Sequence, residues 1–553
     1  MRMLEFHSSG YERICIFVKR TDDGDGWLCL EGPSGKKQEI HMGKDWYRMV
    51  QFALPEDGTY RLGREDIEIA QLYLSGGEDL LERGVCFLHP DSGKAVDLGR
   101  WYDTPIREQF HFGPFANWVN DPNGLCWYQG YYHLFYQANP FGQEWNDMYW
   151  GHAVSKDMVH WVHLPHVLEP QHSLWKDRAI KGGAFSGSAV VEADGIHLYL
   201  TRHEGPQEDG AATREWQTRA VCRDGIHVGA ETVLLEEKPP GVSCDFRDPK
   251  VGQIDGRNYM VLGAAIDKIP TILLYGQDAD GNWTYRGPLL QERTEGIRTF
   301  ECPDFFELDG AYVALGAWMC HHDEYGRYQM TRCYIGDFDG EKLKARRQQW
   351  YDFGSNFYAV QSFVHEGRRI AVGWISDFYE EHRKLEHGAY GSFALPRELS
   401  VRDGRLFMVP AKECYGLLEK QLFLQTDGRK VDGRKVAGNS FFVRIRLNGN
   451  EPFKVVLARD GEESLSLVRN DNITSLVSTR KEVEGKRFPS DVADVREIEI
   501  FVDRRVTEVF LNRGEGAGTK LFYQDSSDGY LEAEFGDGDL KQFEVWNLKS
   551  IWK

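Results

Sequence analysis

Three short acidic segments carry the residues best suited to chemistry. Asp121 lies in Trp118-Val119-Asn120-Asp121-Pro122-Asn123-Gly124, Asp248 in Phe246-Arg247-Asp248-Pro249-Lys250, and Glu301 in Phe300-Glu301-Cys302-Pro303-Asp304. Pro fixes its own φ and Asn or Gly accepts a positive φ, so the first segment reads as a tight turn that presents Asp121 rigidly. Aromatic residues crowd the text around it, among them Trp127, Tyr128, Tyr132, Phe135, Trp145 and Trp150. A fixed carboxylate among flat apolar faces suits a sugar ring. Two carboxyl groups about 5 Å apart, one a nucleophile and one an acid that returns as base, cleave a glycosidic bond with retention of anomeric configuration. A third acid can hold hydroxyls and favour charge at the ring. In a chain with 86 acidic residues each motif alone is weak, and it is their order and surroundings that make the signal.

Together with Phe185-Ser186-Gly187-Ser188, these segments resemble the signature blocks of glycoside hydrolase family 32, the invertases, levanases and inulinases acting on β-D-fructofuranosides. Phe135-Tyr136-Gln137, Trp150-Gly151-His152-Ala153, Phe357-Tyr358-Ala359, Gly373-Trp374 and Leu395-Pro396-Arg397-Glu398-Leu399 extend the likeness, which runs from about residue 108 to 412 and more weakly to the C-terminus. The first hundred residues carry no motif of it. The resemblance implies Asp121 as nucleophile, Asp248 as transition-state stabiliser and Glu301 as general acid/base. It further implies that Asn120, Gln137, Trp145, Phe185, Ser186 and Trp374 line the sugar site, that Arg247 points to fructose hydroxyls and that Asp304 is an auxiliary acid. A nucleophile must stay ionised, which nearby donors can arrange. An acid must start protonated, and Phe300, Phe305 and Phe306 would supply the burial for Glu301 while Asp121 supplies a like charge. Cys302 is expected to pack behind the acids. The chain departs from the common pattern at Asn146-Asp147-Met148-Tyr149, where Gly-x-Met-His is frequent; that puts substrate preference in question rather than reaction type.

The implied activity is a retaining, exo-acting β-fructofuranosidase releasing terminal fructose from sucrose or short fructooligosaccharides through a covalent fructosyl–Asp121 intermediate. Fructosyl transfer on the same fold, a non-catalytic fructan-binding protein, and an inverting arabinoside or xyloside enzyme are the alternatives. No cofactor and no metal are expected: His111, His133, His152, His160, His163, His166 and His172 are dense but lack the spacing of a zinc site. Activity should therefore survive exhaustive EDTA treatment, and a loss restored by one divalent ion would overturn that expectation.

These residues need a scaffold that brings distant segments together. The chain has 553 residues, enough for several domains. Strand-like runs separated by Asp-Gly turns at 194, 224, 255, 280, 309 and 339 predict an all-β architecture with propeller blades over 106–405, and the family resemblance implies a five-bladed β-propeller with the site at the mouth of its channel. Residues 1–105 read as a small β-rich, sandwich-like module, and the alternating strands of 406–553 as a C-terminal β-sandwich. A net charge of −20 offers no phosphate-binding stripe and argues against nucleic acid and anionic membranes. No apolar run reaches the roughly 18 residues of a spanning helix. The start lacks the apolar core of a secretory signal, and the ten cysteines are scattered without a C-x-x-C pair, so a cytoplasmic setting is expected. The partner is a small sugar; homo-oligomerisation is left open.

Overall fold

The computed structural model describes residues 2–206, 212–378, 388–480 and 486–552, and nearly all their regular structure is β. Five antiparallel sheets follow one another in the middle of the chain. Their inner strands are Asn117–Tyr128, Gly182–Glu192, Val242–Ile254, Phe300–Leu308 and Tyr358–His365, and each packs against the next, the fifth returning to the first. Parallel pairing of Ala389 and Tyr390 with Asn117 and Trp118 helps close the ring. This is the propeller expected from the sequence, followed by a sandwich of two six-stranded sheets. Two of the Asp-Gly turns are two-residue hairpins: Asp255-Gly256 (φ 49° and 74°) and Asp309-Gly310 (φ 50° and 77°) take the doubly positive φ that matches strand twist.

The acidic segments are not turns. Val119 pairs with Ala138 and Pro122 with Tyr136, so Asn120 and Asp121 together face the single residue Gln137 in a β-bulge. The same two-against-one step recurs in every inner strand: Phe185-Ser186 opposite Thr201, Asp248-Pro249 opposite Leu262, Cys302-Pro303 opposite Gly316, and Ala359-Val360 opposite Gly373. Asp248, Cys302 and Ala359 take φ of 64°, 45° and 52° there. Pro249 and Pro303 fall inside their bulges, where the ladder needs no N–H. The expected tight turn at Asn120–Gly124 is thus a bulged strand, because proline and positive φ satisfy a bulge as readily as a turn.

Two four-stranded sheets precede the propeller, sharing a core that includes Leu4, Phe6, Ile14, Ile16, Val18, Leu28 and Leu62. Strand Arg13–Arg20 is buried on both faces. Ile14, Ile16 and Val18 point into that core, while Cys15 and Phe17 point to Phe115, Phe141 and Tyr149 of the propeller. Its unbroken apolar text follows from this double burial.

At the other end, Phe441, Val443 and Ile445 fill the C-terminal sandwich, and Arg444 and Arg446 pair across the outer face with Glu499 and Glu497. Sandwich and propeller meet around buried ions. Arg397 contacts Asp352 (2.9 Å) and Glu508 (2.6 Å), and His111 lies between Asp503 and Glu508, 2.9 Å from each. Burial opposes a charge on His111, but hydrogen bonds and attraction from the two carboxylates outweigh it and raise its pKa from 6.5 to about 9. A raised folded pKa means stability fully present below about pH 6.5 and lost as pH climbs through about 9, worth about 3 kcal/mol. Thermal melts of wild type and His111→Gln across that window should converge at the alkaline end; a constant gap would show that His111 is neutral.

Candidate active site

At one end of the ring the bulges surround a cavity of about 740 Å³ whose walls come from all five sheets. Asp121, Asp248 and Glu301 all face it, as do Asn120, Gln137, Trp145, Phe185, Ser186, Arg247 and Trp374. Consecutive bulges sit side by side, so residues 127 and 53 positions apart in sequence become neighbours in space.

Hydrogen bonds tie the acids to one another through the fourth inner strand. Asp121 Oδ2 accepts from Ser186 Oγ at 2.5 Å and lies 3.3 Å from Cys302 Sγ. Asp248 Oδ2 accepts from the Cys302 N–H at 2.8 Å. Glu301 Oε1 accepts from Arg247 Nη2 at 3.0 Å, and its Oε2 from the Tyr358 hydroxyl at 2.8 Å. Cys302 is buried, does not line the cavity and so packs behind the acids while touching two of them; burial, then Asp121, pushes its thiol far above the usual range.

Arg247 lines the cavity as a buried ion, not a surface one. It is 6% exposed, and Nη1 donates to Glu215 at 2.9 Å and to Asp245 at 2.7 Å while Nη2 reaches Glu301. Glu215 is buried and accepts three bonds, from Arg247, His203 Nδ1 (2.9 Å) and the Phe246 N–H (2.5 Å). Burial opposes its charge, yet Arg247 and His203 hold its carboxyl well below the usual range. His203 in turn stacks on Phe185 with ring centroids 4.1 Å apart.

Burial is the largest influence on both remaining carboxyls. It raises Asp248 to about 8, with Glu301 and Asp121 adding to the rise against Arg247. It also raises Glu301, which Arg247 and Tyr358 oppose and Asp121 reinforces. Asp248 is thus placed to hold a proton near neutral pH, and the proton affinity of Glu301 moves in the direction that acid catalysis requires.

Two sequence expectations need correction. Asp304 is 0% exposed and does not face the cavity. Its Oδ2 accepts from Ser362 N (2.8 Å) and Oγ (2.7 Å) and pairs with Lys250 at 3.4 Å, so it fastens neighbouring inner strands. It follows a bulge instead of occupying one, which turns it into the ring wall. Phe300, Phe305 and Phe306 do not bury Glu301 either: all three belong to the cores between sheets, and Phe300 occupies the space a Cβ at Gly316 would need. Glu301 is desolvated by the cavity walls themselves.

Sequence reasoning missed Tyr358, His203, Glu215 and Asp245. Tyr358 had a signal, because Phe357-Tyr358-Ala359 occupies the place in its strand that Phe300-Glu301-Cys302 and Phe246-Arg247-Asp248 occupy in theirs. His203 and Glu215 lie on the second and third strands of the second sheet, where no local motif marks them.

Known proteins share these features. The family description "Glycosyl hydrolases family 32 N-terminal domain" matches residues 111–410, and "Glycosyl hydrolases family 32 C terminal" matches residues 418–547. The chain is 33% identical over 491 residues to a sucrose-6-phosphate hydrolase of Escherichia coli, covering 83% of this chain and 99% of that one. It is 30% identical over 513 residues to a levanase of Bacillus subtilis, covering 83% and 73%. A solved structure described as glycoside hydrolase family 32 from Bifidobacterium adolescentis matches all of both chains at 34% identity with a TM-score of 0.94.

Proposed function

The chain belongs to glycoside hydrolase family 32, and on that premise we propose that it is a retaining, exo-acting β-fructofuranosidase. It is a glycoside hydrolase, and its relatives act as fructosidases. The observation that carries the finer reading is the meeting of Asp121, Asp248 and Glu301 in one cavity walled by Trp145, Phe185 and Trp374. Walls from all five sheets favour entry of a chain by its end, hence exo action.

In this mechanism Glu301 protonates the glycosidic oxygen while Asp121 attacks the anomeric carbon of the terminal fructose, giving a fructosyl–Asp121 ester. Glu301, now ionised, removes a proton from water that releases fructose with its configuration kept. Asp248 holds sugar hydroxyls and favours charge on the ring; Cys302 N–H steadies one of its oxygens and no described residue donates to the other. Ser186 and Cys302 hold Asp121 in line for attack. Asn120, Gln137 and Arg247 complete the polar side of the sugar site. Product analysis over sucrose, sucrose 6-phosphate, kestose, inulin and levan tests the reading, with NMR of fresh product for anomeric retention. Inverted product would overturn it, and kestoses dominating over free fructose at high sucrose would favour fructosyl transfer instead.

Cytoplasmic action is part of the same proposal. It is supported by nine free cysteines among the described residues. No helix of the described residues is long and apolar enough to cross a membrane.

Glu215 gives a prediction about proton affinity. With Glu215→Gln, Arg247 is less neutralised and favours the ionised form of Glu301 more strongly. The alkaline limb of kcat/KM should move down by about one pH unit. Stability should fall by about 3 kcal/mol, since a buried guanidinium loses a charged partner. An unmoved limb in folded enzyme would remove Arg247 from control of Glu301.

A further inference from the structure

We propose that the N-terminal pair of sheets, residues 2–87, sets leaving-group selectivity by clamping the two loops that meet at Trp145. This rests on the β-fructosidase reading above, and the experiment separates the two. The family descriptions begin at residue 111, so they assign nothing to these sheets.

Trp145 lines the cavity and is 37% exposed, which places it at the open end. It stands edge-on to Phe185 with centroids 5.9 Å apart. A sugar whose anomeric carbon faces Asp121 at the floor extends its leaving group toward that rim. Trp145 belongs to the loop between strands Tyr131–Asn139 and Tyr149–Ser155. The second loop joins Trp161–Leu168 to Gly182–Glu192 and carries Trp175, Arg178 and Lys181. The loops are joined at the rim: Lys181 Nζ lies 3.4 Å from the Trp145 carbonyl and 5.7 Å from its ring, and Gly182 N donates to Asp147 Oδ1 at 3.2 Å.

The N-terminal sheets grip each loop on the side away from the cavity. On the first, Lys19 Nζ donates to the Phe141 carbonyl at 3.2 Å, and Phe17 and Tyr47 each pack on the Phe141 ring at 5.7 Å. On the second, Trp46 N donates to the Trp175 carbonyl at 2.6 Å. The Trp46 ring also carries two guanidiniums, its own module's Arg20 at 4.0 Å and the loop's Arg178 at 4.7 Å. Phe141 and Trp175 are both 8% exposed, so each is an anchor. No residue of 2–87 lines the cavity. The module therefore acts through position alone: it fixes where the junction of the two loops, and Trp145 with it, can stand. Lys19 and Trp46 are positioning residues.

Lys19→Ala removes the ammonium held on the first loop, and Trp46→Ala removes the ring under Arg178 of the second while keeping the backbone bond to Trp175; each is measured in the full-length enzyme. KM for sucrose should rise about fivefold, with kcat and inhibition by free fructose changed less than about twofold, because fructose occupies only the inner site. The ratio of kcat/KM for sucrose to that for kestose should shift, since the two present different leaving groups to the rim. Trp145→Ala should reproduce that shift, and Lys19→Arg should restore wild-type kinetics. Unchanged ratios in both folded variants, or kcat falling alone with KM and fructose inhibition constant, would overturn the inference and leave a purely structural module. Wild-type enzyme inert toward every fructoside would instead sink the activity on which the inference rests.

Discussion

Asp121→Asn should abolish turnover while leaving a pocket that still binds sugar. Asn is nearly isosteric and can keep bonds to Ser186 and Cys302, but its neutral amide is a poor nucleophile toward an anomeric carbon. Loss of a covalent nucleophile raises the barrier by at least about 5 kcal/mol, so kcat should fall by about four orders of magnitude or more. Stability should hold or rise. Asp121 raises the proton affinity of both Asp248 and Glu301, so removing its charge relieves repulsion in a buried site. The same relief should lower the Asp248 pKa from about 8, visible by carboxyl titration. Fructose binding by calorimetry with undetectable hydrolysis is the expected pair of results; residual turnover above a tenth of wild type would transfer the nucleophile's role elsewhere.

Much of this was legible in the sequence because each inner strand repeats one device. A bulge accommodates a residue at positive φ, as at Asp248, Cys302 and Ala359, or a proline, and it re-aims adjacent side chains off the sheet. Asn120-Asp121-Pro122, Arg247-Asp248-Pro249 and Glu301-Cys302-Pro303 all display that chemistry in their text. Read singly they look like turns, which is why Asp121 was expected on one. Read as a repeat they also point to Tyr358, although Ala359-Val360 lacks the proline that draws the eye. Asp304 shows the opposite error: its text matches an acidic motif, but its position one step past the bulge aims it into the ring wall. Glu215 and His203 left no trace, because their role depends on which strands of the neighbouring sheet flank Arg247, a property of the closed ring and not of any window of residues. The apolar run at Ile14–Val18 reads as a strand of the N-terminal module, yet nothing local could say that its second face meets Phe141 and Tyr149.

Glu301→Gln tests the division of labour between the carboxyls most sharply. A glutamine can keep one contact to Arg247 or Tyr358 but cannot donate a proton to the glycosidic oxygen. With sucrose, whose leaving alkoxide needs that proton, kcat should fall by about three to four orders of magnitude. With an aryl β-fructofuranoside, whose phenolate departs unaided, formation of the fructosyl–Asp121 ester should be slowed far less. Hydrolysis of that ester then lacks its base, so the ester should accumulate as a burst and be detectable by intact mass. A small anionic nucleophile such as azide needs no base; it should restore turnover of the aryl substrate and yield the β-fructosyl azide. The pH profile should also lose its alkaline limb, because in the proposed mechanism that limb belongs to Glu301, whose proton affinity burial raises. Asp248, fully buried and raised to about 8, is another cavity carboxyl that can hold a proton. If Glu301→Gln keeps its alkaline limb and loses rate equally on both substrates, the acid is Asp248 and the two roles must be exchanged.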